Sequence, residues 1–152
     1  MTGYVCYAIK LLCLTLCTKI QLRTVRTVRT VLTMKITVNL PPPISVNQIW
    51  RQKRGGAYIS KPYQDWIRQA GLEWLAQKKG QPRKIEGNFK AVLILAERKS
   101  GKGDLDNFIK CVLDFAVNHQ LVSDDCYCQA LYVRWGTEQE APMGCRLTLK
   151  SA

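Results

Sequence analysis

The stretch Gly103-Asp104-Leu105-Asp106-Asn107-Phe108-Ile109-Lys110 sets two carboxylates and an ammonium close together, and a second acidic pair, Asp124-Asp125, follows. Asp125 lies nineteen residues after Asp106, and five of the eleven acidic side chains fall between positions 104 and 125. Two carboxylates 4 Å apart repel by about 4 kcal/mol at an effective dielectric near 20. Without a cation, one of them is pushed to protonate. Mg²⁺ removes that conflict, because it takes oxygen ligands, keeps waters and bridges a carboxylate to a phosphate. Held there, it readies a water as nucleophile and neutralises charge on the phosphate. Lys110 adds a compact positive charge for the transition state or the leaving oxygen. The chemistry that these residue types support is hydrolysis of a phosphodiester.

The rest of the chain points to the same class of substrate. It has 152 residues, 23 basic and 11 acidic side chains and a formal charge of +12. Such an excess draws a protein to phosphates through counterion release and steered encounter. Apolar residues make up 47% of the chain, enough for one packed domain, and no apolar run is long enough to span a bilayer. The seven cysteines are odd in number and lack the spacing of a secreted disulfide scaffold. Cys126 and Cys128 are expected on one face of a strand. With His119 near they lack the second pair that zinc would need, so buried thiols in a reducing cytoplasm are the expectation.

Each acidic residue also has a plain structural use. Asp104 fits a helix N-cap. Asp106 and Lys110 fit a surface pair worth about 0.3–0.5 kcal/mol. Asp124-Asp125 fits a turn. Their joint occurrence in a chain with cationic loops at 51–54 and 98–102 favours a metal site over three unrelated uses.

Residues 1–33 contain no acidic residue and repeat Arg-Thr-Val three times from Arg23. That period suits neither helix nor strand. Met34 is expected as the natural start, with the preceding residues an atypical extension, and a basic DNA-binding arm is the alternative. From there the pattern predicts a strand over 35–39, stopped by Pro41-Pro42-Pro43. A cationic glycine loop, Arg51 to Gly56, leads to a short strand at 57–59. A helix is expected over 62–79, with Ser60 or Lys61 as cap and Pro62 near its first position. Tyr63, Trp66, Ile67, Ala70 and Trp74 form its core face. A strand over 84–96, apolar on both faces from Ala91 to Ala96, reads as central. A second helix over 105–119 buries Leu105, Phe108, Ile109, Val112, Leu113, Ala116 and Val117. Asp106, Lys110 and Asp114 align along one side of it, at the rim of that stripe. Strands at 127–135 and 145–150 are expected to form a long hairpin. The predicted fold is α+β: one compact domain, a mixed sheet and two helices.

These residues resemble the RusA-type Holliday-junction resolvases, endodeoxyribonucleases of bacteria and their phages. The likeness rests on Asp104-Leu105-Asp106-Asn107, Lys110, Leu113-Asp114 and Val122-Ser123-Asp124-Asp125, and on an opening with prolines, Ser45, Asn47 and Trp50-Arg51. It covers about Met34 to Lys150. It implies a cytoplasmic homodimer that nicks two strands of a four-way DNA junction symmetrically in recombination and repair, with Mg²⁺ (or Mn²⁺ as substitute). By position it makes Asp104, Asp106 and Asp125 the metal ligands and Lys110 the essential lysine. Asp124 ranks next, then Asp114. It also makes Arg51, Lys53, Arg54, Lys61, Arg98, Lys99 and Lys102 holders of junction phosphates. Two cuts related by a two-fold axis need two sites, which a C₂ dimer supplies. The competing readings are a nuclease of other branched DNA and an inactive junction-binding protein. Three aspartates converging on one cation beside one ammonium is the geometry this reading expects.

Overall fold

The computed structural model describes residues 33–81, 84–97 and 103–152. Arg98, Lys99 and Lys102, and the extension up to residue 32, lie outside the described residues. Thr33 to Ala152 form one compact unit. Its elements are β1 (Lys35–Leu40), a 3₁₀ turn (Val46–Gln48), β2 (Trp50–Lys53), β3 (Gly56–Ile59) and α1 (Lys61–Gln77). Then come β4 (Phe89–Ala96), α2 (Asp106–Asn118), a 3₁₀ turn (Asp125–Tyr127), β5 (Cys128–Gly136) and β6 (Cys145–Ser151). Among the described residues no helix is long and apolar enough to cross a membrane.

The main sheet has the order β1-β6-β4-β5, mixed as expected. β4 is central. Ala91, Leu93 and Leu95 are buried on one face, and Val92, Ile94 and Ala96 are half-buried on the other. β5 runs parallel to β4, because α2 carries the chain back between them as a crossover. β6 then returns antiparallel on the other side of β4. The expected β5–β6 hairpin is therefore wrong, since β4 separates the two strands. The strand apolar on both faces takes the position with neighbours on both sides, and the 137–144 connection passes to its far edge.

Three smaller expectations also change. Gly87, at φ +73, breaks the predicted 84–96 strand, leaving Ile85 as an isolated parallel bridge to Val122. The cationic glycine loop is a β2–β3 hairpin, Trp50 opposite Ile59 and Arg51 opposite Tyr58, turning at Gly55 (φ +104). Cys126 sits in a 3₁₀ turn and not on a strand, so it shares no strand face with Cys128. It is exposed, whereas Cys111 and Cys145 are buried.

Both helices pack on one side of the sheet's core. Ser60 is the N-cap of α1, accepting from Tyr63 N at 3.4 Å while donating to Gln48 O at 2.6 Å. Such a cap is worth about 1 kcal/mol. Tyr63, Trp66, Ala70 and Trp74 are buried as expected. On α2 the buried set is Phe108, Cys111, Val112, Phe115 and Ala116. That stripe is rotated from the expected one. Leu113 is only half-buried, and Phe115 fills the centre, edge-on to Trp66 with ring centroids 6.0 Å apart. At the outer edge of β1, Gln77 Oε1 accepts from Asn39 N and Gln81 Oε1 from Thr37 N, both at 2.8 Å.

Candidate active site

α2 opens at Asp106, whose carboxylate complements the positive end of the helix. Leu105 occupies the N-cap position and supplies no side-chain cap. Asp104 is therefore not spent on capping. Its backbone carbonyl accepts from Asn107 N at 3.2 Å, and its carboxylate is exposed. One turn into α2, Lys110 turns toward Asp114 and not toward Asp106. Lys110 Nζ lies 2.8 Å from Asp114 Oδ1. The other oxygen of that carboxylate accepts from the Tyr63 hydroxyl at 3.4 Å. Tyr63 thus fixes Asp114, and Asp114 fixes the ammonium.

The electrostatics follow from these contacts. Its hydrogen bond to Asp114, with the charges of Asp114 and Asp125, raises the Lys110 pKa above the ordinary lysine value. Lys110 stays charged at neutral pH. Burial, then the neighbouring Asp114, pushes the Tyr63 phenol far above its ordinary range, so it remains a donor. Burial also pushes the Cys111 thiol up to about 12, which makes it an inert core group.

Asp125 reaches the same place from another segment. α2 ends at Asn118, the Ile85–Val122 bridge pins the return, and the 3₁₀ turn at Asp125–Tyr127 follows. Asp124 caps that turn through Cys126 N at 2.8 Å, and this backbone contact lowers its pKa. Asp124 thus has a structural use, whereas Asp125 faces a cleft of about 380 Å³ shared with Lys110, Asp114, Tyr63, Trp50 and Ile59. The structure brings Lys110, Asp114 and Asp125 together there. Asp104 and Asp106 do not line that cleft. Among the described residues no three His, Cys, Asp or Glu side chains are gathered as a metal cage.

The donor set nevertheless suits a hard cation. Asp104, Asp106 and Asp125 are exposed carboxylates, and Mg²⁺ is usually held by one or two carboxylates plus substrate phosphate oxygens, not by an all-protein cage. The base of the β2–β3 hairpin, Trp50 and Ile59, forms a wall of the cleft. Arg51, Lys53 and Arg54 on the hairpin, and Lys61 at the start of α1, are all exposed.

Sequence reasoning missed Trp50 and Tyr63 as cleft residues. For Tyr63 a signal existed: a tyrosine on a buried helix face needs a partner for its hydroxyl, and Asp114 is the acid within reach.

A family profile described as Endodeoxyribonuclease RusA matches residues 39–143, more than two thirds of the chain. The chain belongs to the RusA endodeoxyribonuclease family. It is accordingly an endodeoxyribonuclease, a Holliday-junction resolvase, and RusA nucleases act on branched DNA and depend on metal. No individual curated protein matches the chain. The RusA match runs from the end of β1 to the connection before β6, and so takes in both arms of the cleft, α2 and the Asp125 turn.

Proposed function

We propose that this RusA protein resolves four-way DNA junctions as a cytoplasmic homodimer using Mg²⁺, each subunit nicking one of two symmetry-related strands. Asp104, Asp106 and Asp125 would hold the ion, and Lys110 is the charged group that meets the scissile phosphate. The observation that carries this reading is Lys110 and Asp125, distant in sequence, sharing one cleft beside a cationic hairpin. When bound, the ion supplies an activated water and neutralises phosphate charge.

The protein's own groups do the rest. Asp114 and Tyr63 hold the Lys110 ammonium in one orientation before substrate arrives, so little reorganisation is needed in the transition state. Arg51, Lys53, Arg54 and Lys61 attract the junction arms, and Trp50 and Ile59 give one side of the cleft an apolar wall. The cationic 98–102 segment, next in sequence to Asp104, grips the strand being cut.

The test is incubation with a labelled mobile four-way junction, with fork and duplex controls, in Mg²⁺ and then in chelator. Paired nicks on the junction that stop on chelation are expected. Equal cutting of fork and duplex would replace junction resolution with general branched-DNA cleavage. Junction binding with no Mg²⁺-dependent product would leave a binding protein only.

A further inference from the structure

We propose that a second cleft, at the C-terminal ends of α1 and α2, binds the phosphodiester backbone of a DNA arm away from the cut; this rests on the DNA-nuclease reading above. The cleft measures about 690 Å³ and is lined by Lys78, Lys79, Lys84, His119, Gln81 and Gln120 among others, with no carboxylate in its described lining. Among the described residues none of its three lysines forms an ion pair. Three ammonium groups around one opening, with no acid between them, create a positive field that a polyanion relieves.

The plain alternative is that lysines decorate a helix C-terminus to complement its dipole. That accounts for Lys78 and Lys79, at the end of α1. It does not account for Lys84, which lies on no helix. Nor does it account for Gln120. This residue has φ 57, the left-handed conformation that favours glycine just beyond a helix. A glutamine there keeps the backbone cost and sets an amide, with two N–H donors, on the wall of the cleft. Its side chain has no hydrogen bond among the described residues. Gln81, by contrast, is committed to Thr37 and Gln77.

His119 makes the wall firm. Its ring packs on Phe115 at 4.7 Å between centroids and fills the space over Gly71. Asn118, the last residue of α2 before this cleft, is eight residues beyond Lys110, about 12 Å along the helix. At 3.4 Å per base-pair step, that spacing corresponds to about three or four pairs from the scissile position. That spacing lies within the length of one DNA arm.

The experiment compares wild type with Lys78→Gln/Lys79→Gln/Lys84→Gln on a four-way junction, measuring affinity against salt concentration. Each phosphate neutralised contributes about 0.9 to the log–log slope. The triple variant should show a slope shallower by about 2 to 3 and at least tenfold weaker binding near physiological salt. Gln120→Gly, which removes the left-handed strain, should melt higher than wild type yet bind the junction more weakly. An unchanged slope in a folded triple variant, or Gln120→Gly that gains stability with unaltered affinity, overturns the proposal. If wild type binds DNA with the steeper slope but cuts no junction, the cleft stands and the resolvase reading falls. An unchanged slope beside normal cutting has the opposite meaning.

Discussion

The two clefts beside α2 are built from opposite charges and by opposite means. The first joins Lys110 to Asp114 and Asp125, with Tyr63 behind, and its cation is held by direct hydrogen bonding at 2.8 Å. The second sets Lys78, Lys79 and Lys84 around an opening with no acid and leaves all three ammonium groups unpaired among the described residues. A lysine oriented by a carboxylate is set for one position on a substrate. Lysines left free on long stems suit a mobile polyanion whose register varies. One helix thus borders a site of fixed geometry along its side and a site of loose attraction at its end.

The largest effect should come from the acidic side. Asp106→Asn is expected to abolish cleavage while junction binding stays intact or tightens, since a negative charge near the phosphates is gone. Wild-type turnover from that variant would remove Asp106 from the proposed set of metal ligands. Lys110→Ala should lower turnover by about 10²–10³-fold, on the scale of losing one transition-state donor, with a smaller effect on affinity. Equal loss of both would make it a phosphate anchor like the lysines of the other cleft.

Asp114→Asn should cost about tenfold, comparable to losing a group that orients a ligand. It should also shift the pH profile. Asp114 raises the Lys110 pKa, so its neutral replacement lets Lys110 lose its proton at lower pH. The alkaline limb of cleavage should move down. A limb that stays in place would show that another group controls it.

The smallest effect separates the clefts structurally. Gly71→Ala in a helix normally gains up to about 1 kcal/mol. Here the new methyl would meet His119 Cε1 at 2.6 Å, and overpacking of this kind costs about 1–3 kcal/mol. A net loss in thermal stability with Mg²⁺-dependent cutting retained is expected; a net gain would mean that the His119 ring yields easily.

The local parts of this design were legible in the sequence. Ser60 and Pro62 marked the start of α1, the apolar run 91–96 marked the central strand, and Asp106, Lys110 and Asp114 fell on one helix side by spacing alone. What escaped was non-local. Nothing near residues 136–144 reveals that β4 lies between β5 and β6, because strand adjacency is decided by the α2 crossover. The β2–β3 hairpin is exposed along its whole length, so it carries no alternation of buried and exposed residues to read. Lys110 has an acid four residues away on either side, and only the hydroxyl of Tyr63, on another helix, favours Asp114. The basic cleft draws on α1, the segment after it and the end of α2, so no single stretch betrays it.

The two glutamines along β1 have a consequence for how the sheet can grow. With the main-chain donors of Thr37 and Asn39 already engaged by side-chain amides, an incoming strand finds those two rungs of the ladder taken. The opposite border, β5, carries the exposed side chains of Leu131 and Tyr132 and begins three residues after Asp125. In hydrogen–deuterium exchange the Thr37 and Asn39 amides should therefore be slow at any protein concentration. Slowing of the outward-facing amides of β5 on concentration would mark that border as the seam of the proposed homodimer.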